Sequence, residues 1–234
     1  MKNLFIIFIF ILVLLPLLAN AENRLPPSKD FADGTDRDIS FYMWDHKDYQ
    51  GTNVSSESKA QEIFDQLNGT DHKKGFLRKG AQCFQRAHYW AYEMTREQAG
   101  LHSYKIFLFY TQRYRGTYRE KWWFHVAPVI LVNNVPMVMD YLFEEHPLPI
   151  KKWTDDFIDS KTPCKVMHSL SDYNYDTHDA VNGDSSLMCI IRIVPMYYYQ
   201  PWDLDAFDQH GTTVNDFRPN ELDMARHGFA HPTW

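Results

Sequence analysis

Only three cysteines, Cys83, Cys164 and Cys189, occur in the 234-residue chain, and neither a Cys-x-x-Cys nor a His-Glu-x-x-His spacing is found among them and the 11 histidines. The usual ligand spacings of structural and catalytic zinc are missing, so no metal site is expected. No Gly-x-Gly-x-x-Gly and no phosphate loop occurs, and no cofactor is expected. Neither sign of charge dominates: 24 Lys and Arg are interspersed with 30 Asp and Glu, which gives no reason to expect a nucleic-acid partner. The longest apolar run, Leu4 to Leu18, is interrupted by Pro16 near its end and is shorter than the ~20 residues of a membrane span. No cysteine follows it to take a lipid.

With one lysine before that run and Ala19-Asn20-Ala21 after it, residues 1–21 read as a secretory signal peptide. The expectation is a secreted or periplasmic protein, monomeric and with no stable membrane association once the signal is cleaved. Residues 22–54, with Pro26 and Pro27 and few large apolar side chains, read as an extended lead-in or a pro-segment. Residues 55–234 are long enough for a single domain with its own core. Export implies an oxidising compartment, in which three cysteines are an odd number. If Cys164 and Cys189 pair, Cys83 remains a free thiol. The sequence leaves open that all three are free, or that Cys83 is bridged.

Cys83 draws attention by its position. In Gly80-Ala81-Gln82-Cys83-Phe84-Gln85-Arg86-Ala87-His88-Tyr89-Trp90-Ala91-Tyr92-Glu93-Met94, the residues Ala87, Trp90, Ala91 and Met94 recur at helical spacing. Cys83 lies one turn before Ala87 on the same face, and Gly100 supplies a stop. Unpaired amide N–H groups and the positive end of the dipole at a helix start favour a thiolate, which makes Cys83 a candidate nucleophile. The alternative is a small hydrophobe filling a helix–sheet seam.

Before this helix, Ala60, Ile63, Phe64 and Leu67 predict another, with Asn68-Gly69 as its stop, and Ile39 to Trp44 suggests a short strand. After it, Tyr104 to Tyr110 reads as a strand buried on both faces, and Arg113 to Lys121 as a polar link. Two strand-like runs follow, Trp122 to Val132 and Val135 to Leu142, separated by Asn133-Asn134, a pair that tolerates the positive φ of a tight hairpin. With these as the two loop residues, Val132 faces Val135, Ala127 faces Asp140 and His125 faces Leu142. His125 and Asp140 then share a face as diagonal neighbours, ~7–8 Å apart at Cα. A short helix over Trp153 to Ile158, a loop over Ser169 to Ser186, a strand over Leu187 to Val194 and a final helix capped by Asn220 complete the reading. Tyr197, Tyr198, Tyr199 and Trp202 form an aromatic cluster that reads as packing. His88 lies too far round its helix from Cys83 to be its partner, and reads as a core hydrogen-bonding residue.

Thiol, imidazole and carboxylate in this order suit a nucleophile, a proton relay and an orienting group. The blocks Cys83-Phe84-Gln85-Arg86-Ala87-His88, Trp123-Phe124-His125-Val126-Ala127 and Met139-Asp140-Tyr141-Leu142-Phe143, with Trp153 beyond them, resemble the bacterial protein-glutaminase (protein glutamine deamidase) family. The resemblance runs from about Ser56 to Trp202. It implies an α+β fold with a papain-like or transglutaminase-like core, the nucleophile helix packed on an antiparallel β-sheet. It also implies Cys83 as nucleophile, His125 as general base and acid, Asp140 as orienting carboxylate, and a glutamine-bearing protein or peptide as substrate. A transglutaminase, a cysteine peptidase and a non-catalytic secreted binding module are the alternatives.

Overall fold

The computed structural model describes residues 49–74, 82–98, 100–119, 121–158, 164–167, 173–177, 179–180 and 187–227. The signal peptide and the strand expected over Ile39 to Trp44 lie outside them. In chain order the elements are β1 (Asn53–Val54), α1 (Glu57–Lys74), α2 (Cys83–Glu97), β2 (Tyr104–Tyr110), α3 (Gln112–Tyr118), β3 (Phe124–Val132), β4 (Val135–Val138), β5 (Leu148–Pro149), α4 (Ile150–Phe157), β6 (Lys165–Val166), β7 (Tyr173–Asn174), β8 (Asp179–Ala180), β9 (Cys189–Pro195), α5 (Pro201–His210) and α6 (Pro219–His227). The fold is α+β, as expected.

One seven-stranded sheet organises the chain, in the order β5-β4-β3-β2-β9-β6 with β1 beside the far end of β3. Its central pairs are antiparallel, while the short edge strands β1 and β6 pair in parallel. The antiparallel sheet expected is thus present, with two parallel pairs added at its short strands. Both faces are covered, so β2 and β9 are buried along their whole length. Period-two alternation sends Ile106, Leu108, Ala127, Val129 and Ile191 to one core and Phe107, Phe109, Val126 and Ile190 to the other. The second core includes Cys83 and Ala87 of α2. A third, formed by Ala60, Ile63, Phe64 and Leu67 of α1 with Trp90 and Met94 of α2, continues it along the same side.

The β3–β4 hairpin has the expected register: Val132 pairs with Val135, Leu131 with Pro136, Ile130 with Met137 and Val129 with Val138. Asn133 and Asn134 both adopt positive φ, 50° and 65°. Such a turn matches the right-handed twist of the flanking strands. The strands are shorter than expected. β3 begins at Phe124 rather than Trp122, and β4 ends at Val138 because the chain turns after Asp140, whose carbonyl accepts from the N–H groups of Phe143 and Glu144.

Other boundaries also differ from expectation. α1 continues past Asn68-Gly69 to Lys74; an interior glycine costs a helix only about 1 kcal/mol and does not oblige it to stop. The polar link contains α3, started by Thr111, whose hydroxyl accepts from the N–H of Tyr114, and stabilised by stacking of Tyr114 on Tyr110 at 4.4 Å. The final helix begins at Pro219, with Asn220 inside it rather than as its cap. Residues 49–54, the end of the expected lead-in, are part of the folded body: Val54 is buried, and Thr52 N–H donates to the His102 carbonyl at 2.7 Å. Cys164 and Cys189 form a disulfide that ties the segment before β6 to the start of β9, and Cys83 is free.

Candidate active site

Cys83 occupies the first position of α2, so its N–H has no partner within the helix. Gln82 immediately before it is extended, and its N–H donates to the Gln85 side chain at 3.0 Å, which fixes how the chain enters the helix. Ala87 and the sheet residues Phe107 and Val126 pack beside Cys83 and hold the helix start against the strands.

His125 stands near the beginning of β3, opposite Leu108 of β2. On its other side β4 has already turned away. The carboxylate of Asp140, at that turn, accepts from His125 Nε2 at 2.7 Å. The diagonal relation derived from the register is thus realised as a direct contact. The same oxygen, Oδ2, accepts from the Trp153 indole N–H at 2.9 Å. His125, Asp140 and Trp153 are all essentially inaccessible to water.

Nδ1 of His125, the nitrogen remote from Asp140, has no aligned hydrogen bond among the described residues. The Cys83 sulfur nonetheless lies close enough to bear on the ring's proton. Burial opposes charge on the imidazole, but the Asp140 carboxylate, through its charge and its hydrogen bond, and the Cys83 thiol together outweigh it and push the pKa up to about 9. With Nε2–H committed to the carboxylate, Nδ1 is left to face the sulfur, so the tautomer follows from the contacts.

Aromatic rings surround this imidazole. Phe157 lies at 5.0 Å, Phe143 stands edge-on at 5.2 Å, Trp153 stacks at 5.7 Å, and Trp122 lies nearly parallel at 6.4 Å. Trp122 and Phe143 are exposed on their outer sides. Glu144, just past Asp140, has its carboxyl pushed up to about 7, by burial first and then by the hydrogen bond and charge of Asp156 and the charge of Asp140.

All three side chains singled out from the sequence therefore gather at one end of the sheet. His88 does not join them. It is buried with Nδ1 2.6 Å from Lys105 Nζ, the core role expected of it. Tyr198 and Tyr199 are buried as expected of packing residues, whereas Trp202 of the same cluster is exposed. Sequence reasoning missed the contact between Trp153 and Asp140 and the burial of Lys105; the lysine amid the apolar run of β2 was a visible signal, while the direction of the indole left none. Among the described residues, no group of three His, Cys, Asp or Glu side chains is placed to hold a metal ion.

A thiol at a helix start, near an imidazole that a buried carboxylate holds from behind, is an arrangement that nucleophilic catalysis uses on several unrelated folds. Residues 60–157, the segment that contains all three groups, match the sequence profile of a family described as glutaminase. Over that segment the chain is similar to the glutaminase family. Among solved structures, the NMR structure of protein-glutaminase from Chryseobacterium proteolyticum is similar at 12% identity, covering 70% of this chain and 96% of that one, with a TM-score of 0.38. At that score the likeness carries no further weight. A search of curated proteins finds no match.

Proposed function

We propose that this chain is an exported protein-glutamine glutaminase, which hydrolyses the side-chain amide of protein-bound glutamine to glutamate and ammonia. The reading is carried by the meeting of Cys83, His125 and Asp140 within the segment that matches the glutaminase family. In this mechanism the Cys83 thiolate attacks the amide carbon, and the tetrahedral oxyanion takes a hydrogen bond from the Cys83 N–H, a donor of a kind worth about 3 kcal/mol. The His125 imidazolium passes its Nδ1 proton to the departing nitrogen, ammonia leaves, and a thioester remains. The ring, now neutral, takes a proton from water, whose oxygen attacks the thioester; glutamate and the thiolate are regenerated. Asp140 holds the ring and stabilises its positive form.

Export through a cleaved signal at residues 1–21 belongs to the same proposal, and the Cys164–Cys189 disulfide is consistent with an oxidising destination. No helix among the described residues is long and apolar enough to cross a membrane. The test is to incubate the unreduced protein with a glutamine-containing substrate protein. Ammonia release with a mass gain of about one dalton per site supports deamidation. Lysine crosslinks indicate acyl transfer instead, peptide fragments indicate proteolysis, and a Cys83 inert to iodoacetamide with no product indicates a binding module.

The imidazole also predicts a pH profile. With its pKa raised to about 9, the ring keeps its proton through neutrality and gives it up as the pH rises through that value. As the ring loses its proton, kcat/KM on a blocked glutamine peptide is expected to decline along an alkaline limb near about 9. A rate still rising beyond that limb is incompatible with the protonated ring as the working form.

A further inference from the structure

Trp153 makes a contact that the chemistry above does not use. Its indole N–H donates to Oδ2 of Asp140 at 2.9 Å, the same oxygen that accepts from His125 Nε2 at 2.7 Å. Its ring also stacks on the imidazole, with centroids 5.7 Å apart and planes inclined by 28°. A single side chain thus holds both the carboxylate and the ring that the carboxylate orients.

Its own placement is secured by backbone pairing. β5 pairs with β4 through Met137–Pro149 and Val138–Leu148. α4 begins at the next residue, Ile150, which is itself buried, and carries Trp153 within its first turn. Asp140 leaves the opposite end of β4, two residues after Val138. The strand that delivers the carboxylate and the helix that delivers the indole are therefore tied together two residues before Asp140 and four residues before Trp153.

We infer that Trp153 is a positioning residue of the active site: it fixes which oxygen of Asp140 faces His125 and clamps the imidazole so that Nδ1 stays directed at Cys83. A carboxylate oxygen has two lone pairs, and here they take two N–H donors from different directions, so rotation of the carboxyl group breaks one bond or both. Asp140 and Trp153 are both buried, so neither bond has a ready substitute, and a lost partner costs far more than at a surface. The inference rests on the proposed roles of Cys83, His125 and Asp140.

Trp153→Phe keeps an aromatic face against His125 and removes the donor. The expected result is a folded protein whose kcat falls roughly 10–100-fold, the usual loss when a buried supporting partner is removed, with KM nearly unchanged. The alkaline limb is expected to move upward, because a carboxylate relieved of the indole N–H holds the imidazolium proton more tightly. Combination with Asp140→Asn supplies the distinction from mere packing. If Trp153 acts through the carboxylate, the double variant is scarcely slower than Asp140→Asn alone; if the losses multiply, the positioning role is overturned. So is it by a Trp153→Phe enzyme with unchanged kcat and pH profile. Should that variant not fold, the Trp153 indole N–H resonance of the wild-type protein replaces it: the signal must shift through the same alkaline titration as the activity, and a signal that stays still refutes the shared oxygen. Wild-type protein that releases no ammonia would instead refute the underlying reading, an outcome distinct from each of these.

Discussion

Cys83→Ala leaves a folded protein that releases no ammonia from any glutamine-bearing substrate. In the proposed chemistry the sulfur alone bonds to the substrate's carbon, and an alanine methyl offers nothing in its place. Loss of a nucleophile of this kind costs roughly 10⁴-fold or more, which leaves only what substrate binding and the oxyanion donor contribute. The structural cost is small by comparison. Cys83 is 9% exposed at the start of α2, and replacing a thiol by hydrogen in a partly accessible position removes roughly 1 kcal/mol of packing. Ammonia release measured beside a thermal unfolding curve checks both halves. Turnover that persists at anything near the wild-type rate removes Cys83 from the mechanism.

Asp140→Asn is the second large effect, and its logic differs. Both N–H groups that reach residue 140, from His125 and from Trp153, converge on one oxygen. An asparagine can turn its carbonyl oxygen to receive them, so the packing survives while the negative charge does not. Without that charge the imidazole loses the main influence that opposes the effect of burial. Its pKa falls, and the ring no longer carries a proton at neutrality for the departing nitrogen. If the amide instead presents its NH₂ group, the imidazole tautomer is reversed and Nδ1 no longer accepts from the thiol side. Either route lowers kcat, by about 10³–10⁴-fold on the scale of an orienting carboxylate in a catalytic triad. Turnover on a blocked glutamine peptide, with near-ultraviolet circular dichroism to verify tertiary structure, is the measurement. An unchanged rate assigns the orientation of His125 to another residue.

What the sequence disclosed follows from the range of the interactions involved. The β3–β4 register was readable because a two-residue Asn-Asn turn leaves one alignment, and alternation then carries it to His125 and Asp140 without further information. The α2 periodicity was readable for the same local reason, whereas the Cys164–Cys189 pair was one of several cysteine arrangements that the sequence left open. Trp153 was visible as a residue but not as a partner. Its direction depends on β5, a two-residue strand too short to announce itself. α3 escaped because Tyr114 is its one buried side chain, so no apolar stripe marked it. α5 escaped because the proline that opens it, Pro201, sits amid aromatic residues that suggested a cluster rather than a helix start. The edge strand β1 pairs in parallel with a partner more than 70 residues away, a relation that no local pattern encodes.

Lys105 and His88, pressed together beneath α2, bear on how the chain reaches this form. The Lys105 ammonium gives up its proton far more readily than usual, chiefly because burial strips it of water, and His88 is pushed well below the ordinary imidazole range by burial and by the nearby Lys105 and Arg218 charges. Nζ is held between the His88 ring and the Tyr198 carbonyl, both at 2.6 Å. The unfolded chain binds protons at both groups that the folded one resists, so closing this core expels protons into the solvent. Acidification below the ordinary histidine range therefore works against assembly of the fold itself, quite apart from its effect on turnover.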